Sequence, residues 1–280
     1  MIIIKYVIAV WIIFTLLLAD NLSCMEKKQD FITIQSNKLT ELANRLEERD
    51  VPQEWFWQQV QRENFQFYEK MDELFTNLIE HRYSRGEIDL DDYKNHFNVQ
   101  RRAETGKRFI KEHQHLLDSV QARNGIDYEL IVAILGMETN FAQQRNRGNY
   151  YVFDALVSQY LLIPRRESFA VNQLASLYNF IEKTELDVDY FVGSFAGASG
   201  WAQFIPTSLD SFFISADGNN RNIDIFSIED TLVSIENYLL KHGLKKATMS
   251  SESHLHRAIF AYNRSEAYVQ AVLHLYREMK

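Results

Sequence analysis

Six consecutive apolar residues, Leu130–Leu135, lie near the middle of the chain and end three positions before a glutamate, in the stretch DYELIVAILGMETNF at 127–141. The run is too short to cross a bilayer and too evenly apolar for a surface helix. It predicts a helix buried on every side, around which other helices must pack. Asp127 stands at its N-cap, where a side-chain oxygen accepts from the free amides of the first turn. Ile126 and Ile131 occupy the two positions of a hydrophobic staple. Helical spacing puts Ile131, Ile134 and Leu135 on the face that carries Glu138. A carboxyl beside such a face loses hydration, and its pKa rises towards that of a general acid. Glu138 also reads more simply, as the point where the helix emerges into water.

The rest of the chain supports a mainly helical protein. No run alternates apolar and polar residues as a strand does. Ten glycines and three prolines in 280 residues are few, so at most a small β element is expected. Helical stripes appear at Leu39, Leu42, Ala43 and Leu46, at Trp55, Phe56 and Val60, and at Phe67, Met71, Leu74, Phe75 and Leu78. Residues 85–92 (RGEIDLDD) read as a loop before a short helix at 93–97. Phe109, Ile110, His113, Leu116, Leu117 and Val120 form one more stripe leading into the central helix. Further helices are expected at 152–162, from Pro164 to about Ile181, at 228–242 with Gly243 as the stop, at 252–262 and at 265–278. Residues 36–98 read as an accessory helical lobe and 99–280 as the larger core, although no Gly/Pro-rich linker divides them.

The N-terminal segment reads as a targeting signal. Met1–Ala19 is apolar apart from Lys5, and polar sequence begins at Asp20. Its length is that of a signal-peptide apolar region rather than a spanning helix; an uncleaved anchor is the second reading. Cys24 is the only cysteine, so no disulfide framework exists. Its place resembles that of the acylated cysteine of bacterial lipoproteins, with Ser23 fitting the cleavage motif and Asn21 departing from it. Residues 1–23 are thus expected to be a lipoprotein-type signal peptide, 24–35 a tether, and the mature protein to work outside the cytoplasm. Plain secretion is the alternative. A formal net charge of −8 with no basic stripe excludes a nucleic-acid partner and docking on anionic lipid by charge alone.

Four stretches carry a family resemblance: LGMETNFA at 135–142, IPRRESF at 163–169, GSFAGASGWAQFIPTS at 193–208 and AYNRS at 261–265. In this order and spacing they resemble the membrane-bound lytic transglycosylases of the B type, over roughly residues 103–276. The glycine-rich stretch, with three of the ten glycines in its first eight residues, is the most specific piece. The resemblance implies a lysozyme-like helical core with a groove for a peptidoglycan glycan strand. It implies cleavage of the bond between N-acetylmuramic acid and N-acetylglucosamine without water, the muramic C6 hydroxyl attacking C1 to leave a 1,6-anhydro end. Glu138 would act as general acid and then as base. No second carboxylate stands in the matched motifs beside it, consistent with a family whose intermediate is thought to be stabilised by the substrate's own N-acetyl group, whereas most glycosidases use two carboxylates.

The other positions carry over one at a time. Ser194 and Gln203 match groove residues that hydrogen-bond the sugar; a turn-capping serine and an amide holding the glycine loop are the structural alternatives. Tyr262 and Asn263 match a Tyr-Asn pair lining the muramic acid subsite, against core packing and a helix cap. Tyr238 falls near a groove tyrosine, one residue of loop length apart. Arg165 and Arg166 match a paired arginine that can meet the lactyl carboxylate or peptide stem, against a solvated first turn. Trp201 and Phe204 read either as sugar-stacking rings or as core. Some members carry a calcium loop after the glycine stretch. Here SADGNNRNIDIF puts Arg221 among the alternating positions, with Asn222 and Ile228 where the loop needs glycine and glutamate. No metal and no cofactor are therefore expected. His113/His115 and His254/His256 are spaced to different helix faces and do not predict zinc. A monomer is expected. Two other functions remain compatible with the sequence, a muramidase using water on the same scaffold and a catalytically silent peptidoglycan-binding or envelope-structural protein.

Overall fold

The computed structural model describes residues 35–84 and 98–280, with the side chains of 78–84 excepted. The signal segment, Cys24, nearly all of the tether, the loop at 85–92 and the helix expected at 93–97 lie outside the described residues. The chain divides into two compact units, Met1–Gln53 and Glu54–Lys280.

The first unit holds α1 (Ser36–Glu47), whose stripe of Leu39, Leu42, Ala43 and Leu46 is buried. Two further helices open the second part of the chain, α2 (Gln53–Gln61) and α3 (Met71–Ser84). Phe67, expected in the third stripe, lies in the irregular segment before α3. The stripe from Phe109 to Val120 is two helices, α4 (Val99–Glu112) and α5 (Gln114–Asn124), broken at His113.

The apolar run forms α6 (Tyr128–Thr139), in which every residue from Leu130 to Met137 is buried. Asp127 is its N-cap residue but makes no side-chain cap bond. Its carboxylate is drawn instead to the C-terminus of the chain, accepting from the Tyr276 hydroxyl at 2.5 Å and pairing with Lys280 Nζ at 2.6 Å. That tertiary charge pair outcompetes the local cap. The helix ends in three successive residues of positive φ, Asn140, Phe141 and Ala142 at 52°, 63° and 58°. Asn140 is a common left-handed cap; the next two are not. Phe141 folds its ring back onto the helix it has just left, where a Cβ on Gly136 would come within 2.6 Å of the ring. Only glycine at 136 admits that packing.

The remaining helices are α7 (Val152–Leu162), α8 (Glu167–Thr184), α9 (Pro206–Phe212), α10 (Ile228–Lys241), α11 (Glu252–Tyr262) and α12 (Glu266–Met279). All but α9 were legible within a few residues; α9 begins at Pro206, where the missing N–H costs nothing. The only sheet among the described residues is two antiparallel pairs, Tyr150–Tyr151 (β1) with Val192–Gly193 (β2). α12 packs across α4 and α6, and α10 packs on α5 and α6. On the other side, α7 and α8 pack together with α9.

α7 carries a buried polar stripe, Asp154, Ser158 and Gln159, and each group has a partner. Asp154 accepts from Arg62 Nη2 and from the Gln66 amide at 2.8 Å. Ser158 accepts from the Tyr68 amide at 3.0 Å. Gln159 donates to the Phe195 carbonyl at 2.8 Å. The stripe thereby ties residues 62–68 and the glycine-rich loop to one helix.

Candidate active site

Glu138 occupies the last turn of α6 and is partly exposed, the first break in the buried run. Burial pushes its carboxyl up to about 7, and a hydrogen bond from Tyr268 offsets part of that rise. The Tyr268 hydroxyl donates to Oε1 at 2.6 Å, and among the described residues the other oxygen has no hydrogen-bond partner. Tyr268 comes from the first turn of α12, placed by Ser265, whose hydroxyl caps the helix by accepting from the Tyr268 amide at 3.4 Å. Sequence reasoning missed Tyr268. Three positions past the AYNRS motif, on a helix stripe, it looks like any core aromatic.

The glycine-rich loop is tied to the end of α6 that carries this carboxyl. It leaves β2, and bridges at Gly193–Ser199 and Ser199–Phe204 fold it into a tight double turn. A Cβ on Gly193 would stand 1.8 Å from the Ala198 carbonyl oxygen, so the turn closes only with glycine. Two hydroxyls then fix its far end. Thr139, beside Glu138, donates to the Trp201 carbonyl at 3.0 Å. Tyr262 donates to the Ala202 carbonyl at 2.6 Å. Burial and the nearby Glu138 carboxyl hold the Tyr262 phenol protonated, which keeps it a donor.

Ser194 accepts from the Ala198 amide at 3.2 Å, so it caps the turn and keeps its own hydrogen for another acceptor. Gln203, with φ at 49°, donates to the Gly200 carbonyl at 2.9 Å; its amide oxygen remains. Tyr238 is buried, gives its hydroxyl to the Ala261 carbonyl at 2.7 Å, and packs its ring 4.8 Å from that of Tyr262. It buttresses Tyr262 from behind. Trp201 and Phe204 are core residues, the indole N–H donating to the Phe226 carbonyl at 2.5 Å. Asn263 is exposed at the end of α11, and among the described residues its side-chain amide has no partner.

The arginine pair separates into two roles. Arg166 bonds Gln159 at 2.8 Å, and its guanidinium lies 4.4 Å and 4.0 Å from the ring centroids of Phe75 and Phe169. It is a packed cation–π residue at the α7–α8 corner. Arg165 beside it is exposed. In the polar loop, Asp217 accepts from Ser215, Asn222 and the Asn219 amide, and these bonds hold its carboxyl down at about 2. No cluster of three or more His, Cys, Asp or Glu that could hold a metal occurs among the described residues.

A desolvated carboxyl at a helix end, with a clamped glycine loop beside that helix on a helical core, is the arrangement of a lysozyme-like protein. Residues 35–253 match the transglycosylase SLT domain, and the chain belongs to that family. Over 154 residues it is 28% identical to membrane-bound lytic murein transglycosylase B of Escherichia coli K12, a match covering 55% of this chain and 42% of that protein. The chain thus matches less than half of that relative's length. The fold is also that of solved transglycosylases. The E. coli lytic transglycosylase SLT35 in complex with bulgecin A superposes with a TM-score of 0.70 at 17% identity, covering 86% of this chain and 92% of SLT35. SltB3 from Pseudomonas aeruginosa, in complex with NAG-anhNAM-pentapeptide, gives 0.72 at 22% identity, over 87% and 79% of the two chains.

Proposed function

We propose that the protein is a lytic transglycosylase that cleaves the bond between N-acetylmuramic acid and N-acetylglucosamine in peptidoglycan and leaves 1,6-anhydromuramic ends. The observation that carries this is the Glu138 carboxyl, raised to about 7 by burial and anchored through one oxygen by Tyr268. Such a group is protonated and ionised in comparable amounts near neutrality, as one residue serving as acid and then base requires. In the first step protonated Glu138 gives its proton to the leaving glycosidic oxygen, and the C1–O bond breaks. In the second the Glu138 carboxylate takes the proton of the muramic C6 hydroxyl as that oxygen bonds to C1. The proton balance closes on one carboxyl, and no water is consumed.

Ser194 and Gln203 would hydrogen-bond the sugar with the hydrogen and the amide oxygen they have left. Asn263 and Tyr262 would line the muramic subsite, with Tyr238 as support, and exposed Arg165 would meet a carboxylate of the substrate. Residues 99–280 carry the chemistry in this reading. Residues 36–98 serve as an accessory lobe, of which 62–68 is tied to the core through Asp154 and Ser158. Export as a lipoprotein anchored at Cys24 is the matching location; no helix among the described residues is long and apolar enough to cross a membrane.

Digestion of purified peptidoglycan followed by mass analysis tests the reading. Anhydromuropeptides are expected. Products heavier by one water would make the protein a muramidase, and no product at all would make it a binding protein.

A further inference from the structure

A recess lies beside the end of α6, and Glu138 is not among its lining residues. Its volume is about 540 Å³, and every residue lining it is polar. Four are arginines, Arg101, Arg102 and Arg108 from α4 and Arg145 from the loop after α6; the rest are asparagine, glutamine and threonine. None of the described residues that line it is acidic, in a chain of formal net charge −8. Arg102 has a structural task, donating to the Gly136 carbonyl in the last turn of α6, where a cation complements the helix dipole. Among the described residues Arg108 bonds a neighbour, Thr105, at 3.0 Å. Arg101 and Arg145 are exposed and have no carboxylate partner among the described residues.

The chemistry of the lining narrows the ligand. It offers guanidinium forks and amide donors, and no aromatic face on which a sugar could stack. Arginine rather than lysine suits planar, bidentate recognition of oxyanions. The position narrows it further. Asn140, which lines the recess, follows Glu138 by two residues just past the end of α6, and Arg102 reaches the Gly136 carbonyl two residues before Glu138. Two residues of chain span at most about 7 Å, so the backbone of Glu138 and that of the recess lie close together. A stem peptide of three residues, extended at about 3.3–3.6 Å each, is long enough to reach from one to the other.

We propose that this arginine recess binds the carboxylates of a peptidoglycan stem peptide whose sugar lies in the Glu138 groove. The inference rests on the transglycosylase reading above and adds a second contact to it, one that recognises the peptide rather than the glycan.

The test uses the whole protein and the double variant Arg101→Gln/Arg145→Gln, leaving Arg102 and its α6 contact in place. Isothermal titration with the stem tripeptide L-Ala-γ-D-Glu-meso-diaminopimelate should show binding that weakens with salt and falls by about tenfold or more in the variant, the cost of losing charged hydrogen bonds. With peptide-bearing strands, KM should rise several-fold more than it does with strands stripped of peptides by an amidase, at equal melting temperature. Unchanged tripeptide binding in the variant overturns the proposal, as does an equal KM change on both polymers. Tighter binding of a glycerol phosphate oligomer than of the tripeptide also overturns it, because the recess would then be a phosphodiester site. If the wild type makes no anhydro product, the transglycosylase reading fails, while the titration still decides what the recess binds.

Discussion

The Tyr268 hydroxyl and the Glu138 carboxyl stand 2.6 Å apart across 130 residues of sequence. Tyr268 is buried, and its bond is the one interaction that lowers the Glu138 pKa against the desolvation that raises it. The phenol therefore both orients the carboxyl and limits how far its proton affinity climbs.

Removing that phenol should move the pH profile. With Tyr268→Phe, desolvation acts on Glu138 unopposed, and its pKa rises above about 7. The first step needs the protonated acid, so the alkaline limb of kcat/KM should shift upward. The rate at the optimum should fall, because the carboxyl is no longer held in position. A profile with an unmoved alkaline limb would separate Tyr268 from the chemistry.

Glu138→Gln should cost at least roughly 10²–10⁴-fold in turnover, the range ascribed to general acid–base groups. Its effect on stability depends on pH. A carboxyl with a folded pKa of about 7 against an ordinary value of 4.5 destabilises the fold once the unfolded chain ionises. Stability from this group is intact below about pH 4.5 and is lost progressively up to about pH 7. The melting temperatures of wild type and variant should therefore agree at pH 4, and the variant should be the more stable at pH 8. Scanning calorimetry at the two pH values checks the sign.

The pair of Arg62 and Asp154 predicts a large effect far from catalysis. Asp154 is fully buried, and burial lifts its carboxyl to about 6 even though Arg62 pulls it down. Arg62→Ala leaves that charge without its cation and should cost about 3–5 kcal/mol, whereas Arg62→Met with Asp154→Asn should cost less. Urea denaturation of the two variants measures the difference.

Two glycines give a paired test of loop closure. Gly193→Ala drives a methyl into the Ala198 carbonyl, while Gly218 has positive φ but open space around its missing Cβ. The first should cost about 1–3 kcal/mol or more and abolish activity, as expected for overpacking against fixed backbone. Gly218→Ala should cost about 1 kcal/mol from strain alone and leave turnover intact. Melting temperature and anhydromuropeptide yield, read together, distinguish them.

Most of the helices were legible because burial imposes a period on the sequence. Leu39–Leu46 and Leu130–Leu135 announce their helices, and α7 and α11 begin and end where their patterns do. The carboxylate at 138 was legible for the same reason, since it interrupts the apolar run. What the sequence hid are contacts between distant positions. Asp127 looks like a helix cap until Lys280 and Tyr276 take its carboxylate. Arg166 looks like a substrate cation, yet Phe75 and Phe169 pack its guanidinium. Tyr268 carries no local signal at all, because its role is set by a partner on another helix. Period reveals what a residue is buried with in general; it does not name the partner.

The turn at Asn140–Ala142 has a consequence for handedness. L-residues in the left-handed region cost about 1–2 kcal/mol each, and they occur there singly as a rule. Here three follow in a row, beginning two residues after the carboxyl on which the proposed reaction depends. A mirror-image residue has the opposite preference. A semisynthetic protein with D-alanine at position 142 should fold to the same backbone, lose that penalty and melt higher than the natural chain. The most constrained chemistry of this molecule would thus be adjoined by a short stretch of backbone better suited to amino acids of the other hand.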